Sequence, residues 1–368
     1  MLRRLTLIFL SLVCTVAVAA CSSSDTKSLS SGGIPGIGPN FASNSIYAAS
    51  SSNNAVYIYA PNPQPSATPV NLIGGANTGL SGPQYVAFDA AKHLFVTNYN
   101  PAPQPGTNGA SIQIYQTYAM GDVIPFGTVS GAGTSLTQPR GIAVDQKTGT
   151  FYVANVDPSA ASPNELLVFA SGGFAPTVIS GNLTQLNSPT GVALDASNNL
   201  YVANRGGGSV TVYPAPTPVP APSGSPSPAP TATPTANPSA SPAPTPTPVP
   251  GLNIAPTQTI TGLGAPTGIA VDANKNVYVA DPDNGTPAIY VFAPGAASAA
   301  AATRKIVGAS TQLKFPTDIK VDSNGTLYVA DSGADAILIF APNANGNVAP
   351  TVTLPFKAGT PIGLSLSP

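Results

Sequence analysis

The stretch PTGIAVDANKNVYVAD, residues 266–281, is the clearest copy of a motif that recurs along this chain of 368 residues. The motif has the form Pro-x-Gly-Ile-Ala-Val-Asp, followed by a run such as Tyr-Val-Ala-Asp or Tyr-Val-Ala-Asn. Copies begin at Pro83, Pro139, Pro189, Pro266, Pro316 and, truncated, at Pro361. Successive starts are 56, 50, 77, 50 and 45 residues apart. A period near 50 residues is typical of propellers and solenoids.

Each repeat contains four short apolar runs that are suited to β-strands. In the copy at Pro189 these are GVALD, LYVAN, Val210 to Tyr213 and Thr257 to Ile260. Nearly continuous apolar runs indicate strands that are covered on both faces. Small residues in the first two runs suit strands that are crowded toward a central axis.

The two ends of the chain predict how the repeats close. The run IYAAS at 46–50 has no Pro-x-Gly strand before it, and PIGLSL at 361–366 has no partner after it. If the last run pairs with the first, both are satisfied and no open edge remains. We therefore predict an all-β fold, a six-bladed β-propeller of four-stranded blades in which the C-terminal strand closes the N-terminal blade.

These residues resemble the NHL-repeat family of six-bladed propellers over residues 44–368. The family's Asp-x-x-Asn-x-Arg-Ile stretch is degraded here, since residues 331–337 read DSGADAI. Ala334 and Ala336 stand at its Asn and Arg positions. The resemblance implies the fold, but propellers of this shape include sensors, scaffolds, lactonases and lyases, so it leaves the function open.

The composition argues against nucleic acid as a partner. The formal net charge is -1 and only 7% of the residues are charged. No basic stripe exists that could neutralise phosphates. A weakly charged surface suits an extracytoplasmic protein.

The N-terminal segment predicts that compartment more directly. Arg3 and Arg4 precede an apolar stretch that ends at Ala20, and residues 1–20 read as a secretory signal peptide. The sequence VAAC at 18–21 resembles a bacterial lipobox, which implies a lipid on Cys21 and a membrane anchor. An ordinary signal peptide with an incidental cysteine is the alternative. By analogy with enteric sorting, Ser22 favours the outer membrane if the cell is Gram-negative.

Two low-complexity segments accompany the propeller. Residues 21–43, rich in Ser and Gly, are expected to form a flexible tether. Residues 214–250, almost entirely Pro, Ala, Thr and Ser, form an insertion that favours extended polyproline II. The insertion falls between the third and fourth strands of its blade. The insertion either contacts the cell wall or the proline-binding groove of a partner, or it is a surface insertion that the fold tolerates.

Candidate catalytic residues are sparse. The chain has one histidine, His93, and one glutamate, Glu165. By resemblance, propeller lactonases and lyases hold a metal with several His, Glu, Asp or Asn side chains, and no such set can be assembled here. We expect His93 to be a solvated turn residue and Glu165 a solvated strand position, with no metal, cofactor or catalysis. A metal-dependent lactonase or lyase is the alternative.

Five aspartates close the first strands, and their recurrence predicts a structural role as acceptors for backbone N–H groups in the following turn. They are Asp89, Asp145, Asp195, Asp272 and Asp322. The run from Asp281 to Gly285 has the start of a calcium loop but lacks its remaining acidic ligands.

Residues that break the repeat are better candidates for binding. Tyr85 and Asp318 replace the motif glycine, and Arg140 is the charged residue at the intervening position. We predict one ligand-binding face that carries these three with Asn98, Asn155, Asn204, Arg205, Asp281, Asp283 and Asp331. Such a face could bind protein, peptide or glycan. A structural envelope protein without a discrete ligand is the other possibility, and in either case we expect a monomer.

Overall fold

The computed structural model describes residues 43–100, 109–158, 163–214, 252–282, 286–356 and 359–368. In these residues 24 strands form six four-stranded antiparallel sheets. The six-bladed β-propeller is confirmed. Within the same ranges, helices are limited to short 3-10 turns, so none is long or apolar enough to cross a membrane. The signal peptide, the tether up to residue 42, Cys21, Asp283 and the insertion beyond Pro214 lie outside the described residues.

The strands follow the chain blade by blade. Blade 1 contains β1 (Ile46–Ser50), β2 (Ala55–Tyr59) and β3 (Asn71–Gly74), and blade 2 contains β4 (Pro83–Phe88), β5 (Leu94–Tyr99), β6 (Ala110–Tyr115) and β7 (Gly127–Ser130). Blade 3 contains β8 (Pro139–Val144), β9 (Phe151–Val156), β10 (Asn164–Phe169) and β11 (Thr177–Ser180). Blade 4 contains β12 (Pro189–Leu194), β13 (Leu200–Asn204), β14 (Ser209–Tyr213) and β15 (Gln258–Ile260).

The remaining strands complete the ring. Blade 5 contains β16 (Ile269–Val271), β17 (Val277–Asp281), β18 (Ala288–Phe292) and β19 (Ala302–Val307), and blade 6 contains β20 (Pro316–Val321), β21 (Leu327–Asp331), β22 (Ala336–Phe340) and β23 (Val352–Pro355). Strand β24 (Pro361–Leu366) returns to blade 1. The 3-10 helices are Ala132–Thr134, Asn182–Thr184, Ala299–Ala301 and Ala309–Thr311.

The predicted closure of the ring is confirmed. Strand β24 pairs antiparallel with β1, with Ile46 opposite Leu366. Blade 1 therefore draws its innermost strand from the far end of the sequence. This pairing joins the first and last strands and gives β1 a hydrogen-bonded neighbour on each side.

The hydrophobic core lies between the blades. Six clusters of buried side chains each combine strands of two neighbouring blades. Phe169, Tyr213, Phe292 and Phe340, at the ends of third strands, are fully buried. Because both faces of each sheet pack against a neighbour, the strands are apolar throughout and do not alternate.

The antiparallel order gives the ring two distinct faces. We call the upper face the one that carries the loops into each first strand and the loops between second and third strands. The lower face carries the turns between first and second strands and the connections between third and fourth strands. The strand residues on either side of the predicted insertion, Tyr213 at the end of β14 and Gln258 at the start of β15, lie at lower strand ends.

The five aspartates at the ends of the first strands have the predicted structural role. Asp195 Oδ1 accepts the N–H groups of Ser197 and Asn199 at 2.8 and 2.9 Å, and the other four copies likewise accept backbone N–H groups of their turns. Burial acts to raise the pKa of Asp195, but hydrogen bonds from Asn199 and Ser197 outweigh it and lower the pKa. The carboxylates therefore stabilise the lower turns.

Candidate functional site

The glycine of the Pro-x-Gly motif lets the first strands approach one another around the axis. A Cβ on Gly141 would lie 2.3 Å from Thr190 O, and a Cβ on Gly268 would lie 2.5 Å from the Cα of Asp318. Gly191 and Gly363 meet the next blade in the same way, at 2.5 and 2.4 Å. A side chain directed along this contact would collide with backbone, so the motif glycine is a packing requirement.

Tyr85 replaces the motif glycine in blade 2 and links two blades that are not neighbours. Its hydroxyl donates a hydrogen bond to Thr317 O at 3.0 Å, although Thr317 belongs to blade 6. Blades 2 and 6 are separated by blade 1, so the side chain reaches past a neighbouring blade. Tyr85 is 7% exposed, and burial raises the pKa of its phenol. Tyr85 is therefore a buried contact between blades and does not face solvent.

Asp318 replaces the motif glycine in blade 6 but does not lie on the rim where the sequence analysis placed it. It is 1% exposed and accepts the N–H groups of Ile319 and Leu364, both at 2.8 Å. Lys320 Nζ lies 2.9 and 2.7 Å from its two carboxylate oxygens. Burial raises the pKa of Asp318, and the charge of Lys320 opposes that shift. This carboxylate is thus engaged inside the protein.

In the lower part of the channel the lining side chains are mostly apolar. A cavity of about 270 Å³ is lined by first-strand residues of all six blades, which include Val86, Ile142, Val192, Ile269 and Lys320. Lys320 is the charged side chain of this lining, and it is paired with Asp318. The polar surface of this cavity therefore comes largely from the backbone.

Five of the predicted ligand-binding residues anchor loops instead of facing solvent. Asn98, Asn155, Asn204, Asp281 and Asp331 end the second strands and are 0% exposed. Their oxygens accept N–H groups of the loop that leads into the first strand of the same blade. These N–H groups have no strand partner and require an acceptor. Recurrence in five blades is the sequence signal that could have identified this structural role.

One such anchor is linked to Glu165, which is not the solvated residue that was expected. Glu165 is 8% exposed, and one of its carboxylate oxygens accepts a hydrogen bond from Asn155 Nδ2 at 3.0 Å. Burial raises the pKa of Glu165, while the hydrogen bond from Asn155 opposes the shift. Its burial follows from its place on β10, between two blades.

His93 lies in the predicted lower turn but is only partly exposed. Its Nδ1 is 2.8 Å from an oxygen of Asp89, and the ring stacks on Phe126 at 5.5 Å between centroids. Its side chain is 30% exposed. Within the described residues, no three His, Cys, Asp or Glu side chains group as metal ligands.

The two arginines on the predicted face do come together at the upper mouth. Arg140 and Arg205 line a cavity of about 330 Å³ with Ser188, Thr190, Gly206 and Ala265. Both arginines are partly buried. The guanidinium carbon of Arg205 lies 5.5 Å from the ring centroid of Phe315, in a cation–π contact that orients it. None of the described lining residues of this cavity is a carboxylate.

Arg140 stands where blades 4, 5 and 6 have a structural threonine. Thr190 Oγ1 donates to Thr267 O at 2.9 Å, and Thr267 Oγ1 donates to Pro316 O at 2.8 Å. Thr317 makes the same link to Pro361. At Arg140 this link between blades is replaced by a charged side chain that lines the cavity. The substitution therefore exchanges a packing interaction for a possible contact with a ligand.

The backbone beside the cavity is also unusual. Ser188 has a φ of 47° and directly precedes Pro189. Left-handed φ values are uncommon for residues other than glycine, and a following proline further restricts the backbone. Such strain is concentrated at functional sites in proteins.

Comparison with known protein families identifies one repeat of this chain. Residues 186–213, from the loop before β12 to the end of β14, match the NHL repeat. This match agrees with the resemblance found in the sequence. Comparison with functionally characterised proteins gives no significant sequence match.

Several solved structures are similar to this ring. A protein of unknown function from Bacteroides caccae has a TM-score of 0.56 at 9% identity, covering 89% of this chain and 99% of that one. A chain in a nidogen/laminin complex has a TM-score of 0.53 at 15% identity, with coverage of 88% and 98%. A streptogramin B lyase has a TM-score of 0.48 at 10% identity, with coverage of 81% and 76%. The first two likenesses show the fold alone, and the lyase carries no argument about activity.

Proposed function

We propose that this protein is a lipid-anchored, extracytoplasmic propeller that binds an anionic group of a protein, peptide or glycan partner at its upper channel mouth. The observation that carries the proposal is the cavity shared by Arg140 and Arg205. Guanidinium groups bind carboxylates, sulfates and phosphates through directed, charge-assisted hydrogen bonds.

The position of the cavity suits a large partner. Arg140 lies on β8 and Arg205 directly follows β13, both at the upper face of the ring. A ligand bound there would remain accessible to a larger partner. Rigid propeller strands hold both arginine-bearing segments, which reduces the ordering that binding requires.

The anchoring part of the proposal comes from the lipobox-like sequence that ends at Cys21. A lipid at this position would retain the propeller at a membrane outside the cytoplasm. The low content of charged residues, 7%, is compatible with that location.

The binding proposal is tested with a labelled poly-glutamate peptide and polygalacturonate as an acidic peptide and an acidic glycan. Anisotropy titrations compare the wild-type protein with Arg140→Ala, Arg205→Ala and the double variant. Each hydrogen bond to a charged group is worth about 1.5–3 kcal/mol, so each single change is expected to weaken binding by roughly 10–100-fold.

The control is Lys147→Ala, which removes the same charge from an exposed position on the lower face. It should leave the affinity of both probes unchanged, and circular dichroism should show that all variants keep the fold. Equal affinity of the wild-type protein and the double arginine variant would remove the upper mouth as the binding site. Crosslinking in intact cells would then compare capture of native partners by the same variants.

A further inference from the structure

Large apolar side chains are exposed along the lower face and the adjoining outer side of three neighbouring blades. They are Val70, Tyr118, Ile124, Phe126 and Phe174, which are 53, 44, 78, 63 and 62% exposed. All five lie on the third-to-fourth strand connections of blades 1, 2 and 3. The described connections of blades 5 and 6 contain no exposed large apolar residue. We call these five side chains the lower apolar patch.

Contacts with the lower turns place the patch. Phe126 stacks on His93, which lies in the turn between β4 and β5. Next to Tyr118, Thr117 Oγ1 donates to Ala91 O of the same turn at 2.9 Å. Tyr118 and Phe126 therefore lie at the end of the ring opposite the cavity of the two arginines. Between them the chain runs along β3, and Asp122 accepts a hydrogen bond from Asn77 of an upper loop, so Ile124 lies on the outer side of the ring.

The turns beside the patch bring no net charge. Lys92 and Lys147 lie in the lower turns of blades 2 and 3, and each turn also holds an aspartate, Asp89 or Asp145. The ammonium of Lys92 donates a hydrogen bond to Pro368 O at 3.0 Å. Docking on a bilayer would therefore depend on the exposed aromatic and aliphatic side chains, which are of the kind that insert at the membrane interface.

The path of the chain connects this surface to the predicted anchor. Asn44 N donates to Ser367 O at 2.8 Å, just before β1 starts and just after β24 ends, so the chain enters blade 1 at the lower face. Cys21 precedes Ser43 by 22 residues. A Gly/Ser-rich segment of that length has an r.m.s. span of about 25 Å. A lipid on Cys21 would therefore tether the propeller to the membrane through the lower end of blade 1.

We propose that the lower apolar patch docks on the phospholipid bilayer surface, so that the propeller stands with its upper mouth directed away from the membrane. The proposal rests on the lipid anchor of the proposed function but not on the ligand of the arginine cavity. Interfacial side chains of this kind insert about 5–10 Å into the boundary of headgroups and acyl chains. The partner is thus a lipid surface, and the orientation leaves the arginine cavity accessible.

The chain contains no tryptophan, so a single introduced tryptophan reports its own position. The lipidated full-length protein is reconstituted into vesicles of phosphatidylethanolamine and phosphatidylglycerol, with and without brominated acyl chains. Phe126→Trp and Phe174→Trp report on the patch. Leu183→Trp is the matched control, because Leu183 is a 54% exposed apolar residue in the loop that leads toward the upper end of β12.

We expect brominated lipid to quench both patch tryptophans and to leave the emission of Leu183→Trp unchanged. Equal quenching at all three positions, or quenching at none of them in protein that floats with the vesicles, would overturn the docking orientation alone. Protein that does not float with the vesicles would overturn both the docking and the anchor. A blue shift of the patch tryptophans without lipid, together with dimers in gel filtration, would assign the patch to a second copy instead.

A second measurement needs no substitution. A water-soluble amine-acylating reagent is applied to the wild-type protein on vesicles, and modified lysines are identified by mass spectrometry. Lys147 lies on the lower face and Lys314 in an upper loop, and both are exposed. Docking is expected to slow the modification of Lys147 and to leave that of Lys314 unchanged. The same rate at Lys147 with and without vesicles would contradict the docking.

Discussion

Lys320→Ala is expected to destabilise the propeller because it leaves the Asp318 carboxylate buried without its cation. Lys320 Nζ lies 2.9 and 2.7 Å from the two oxygens of Asp318, which is 1% exposed. Removing one partner of a buried ion pair costs about 3–5 kcal/mol. The N–H groups of Ile319 and Leu364 still bind the carboxylate. We therefore expect a loss near the lower end, about 3 kcal/mol.

Removing both partners should cost much less. The double change Asp318→Gly with Lys320→Ala converts PTDIKVD of blade 6 into PTGIAVD, the sequence that blade 5 already has at 266–272. Replacement of a buried pair by residues that need no counter-charge is often neutral in stability. We expect the double variant to lie within about 1 kcal/mol of the wild-type free energy of unfolding.

The stability of the Asp318→Gly variant should lie between that of the Lys320→Ala variant and that of the double variant. The side chain of Lys320 is 26% exposed and can gain hydration when its partner is lost, whereas Asp318 cannot. The order of stability is therefore expected to be double variant, then Asp318→Gly, then Lys320→Ala.

The pH dependence gives a further check on the cause. Burial raises the pKa of Asp318 in the folded protein, and loss of Lys320 should raise it further. An unfolded aspartate titrates near pH 3.9. A raised folded pKa means that stability is greatest at low pH and declines as pH rises through the folded value. The Lys320→Ala penalty should thus be small near pH 4 and largest above neutral pH.

Urea titrations at several pH values, followed by circular dichroism, measure these free energies of unfolding. The slope of each transition should stay unchanged, since the folded ring is the same. If Lys320→Ala is as stable as the double variant at neutral pH, or if its penalty does not vary with pH, the buried-charge argument is refuted.

Three further outcomes follow from single contacts. Gly268→Ala should destabilise the fold by about 1–3 kcal/mol, because the added methyl group would collide with the next blade. Gly133→Ala, which has open space around it, should leave the stability unchanged. Equal shifts of the melting temperature in the two variants would contradict this. Glu165→Gln should stabilise the fold at neutral pH, because burial disfavours the ionised carboxylate and raises its pKa. The advantage should disappear near pH 4, where the carboxyl group is protonated. Midpoints of urea unfolding at the two pH values test this. Tyr85→Phe should cost about 1–2 kcal/mol by leaving Thr317 O without its donor, and an unchanged urea midpoint would count against the hydrogen bond.

The candidate site was only partly predictable from the sequence. A polar residue that recurs from blade to blade can either contact a ligand or support the fold, and the sequence does not distinguish the two roles. Asn204 and Asp331 end second strands on the upper face, which suggested ligand contact, yet their burial shows that they bind loop backbone. Both the loop anchors and the aspartates of the lower turns recur from blade to blade, and both proved structural. Arg140, which breaks the recurrent threonine position, lines a cavity.

Two contacts near the axis of the ring could not be predicted from local sequence patterns. The sequence marked Tyr85 as a break in the repeat but contained no sign that its hydroxyl would bind Thr317, two blades away around the ring. The pairing of Lys320 with Asp318 was likewise missed, although the two residues are close in sequence. The apolar pattern of the strands does not reveal that the backbone of β24 lies against Asp318, where Leu364 N donates to its carboxylate and the side chain is buried.

The sequence by itself determined the number of blades, the strands of each repeat and the closure by the last strand, because these follow from a motif whose apolar period is local. The tertiary structure alone decided which side chains face solvent. In a closed ring, a residue's exposure depends on the neighbouring blade, as the burial of Glu165 between two sheets shows. It also decided that the two arginines meet at one mouth and that exposed apolar residues share the opposite face, since both groupings bring together distant parts of the chain.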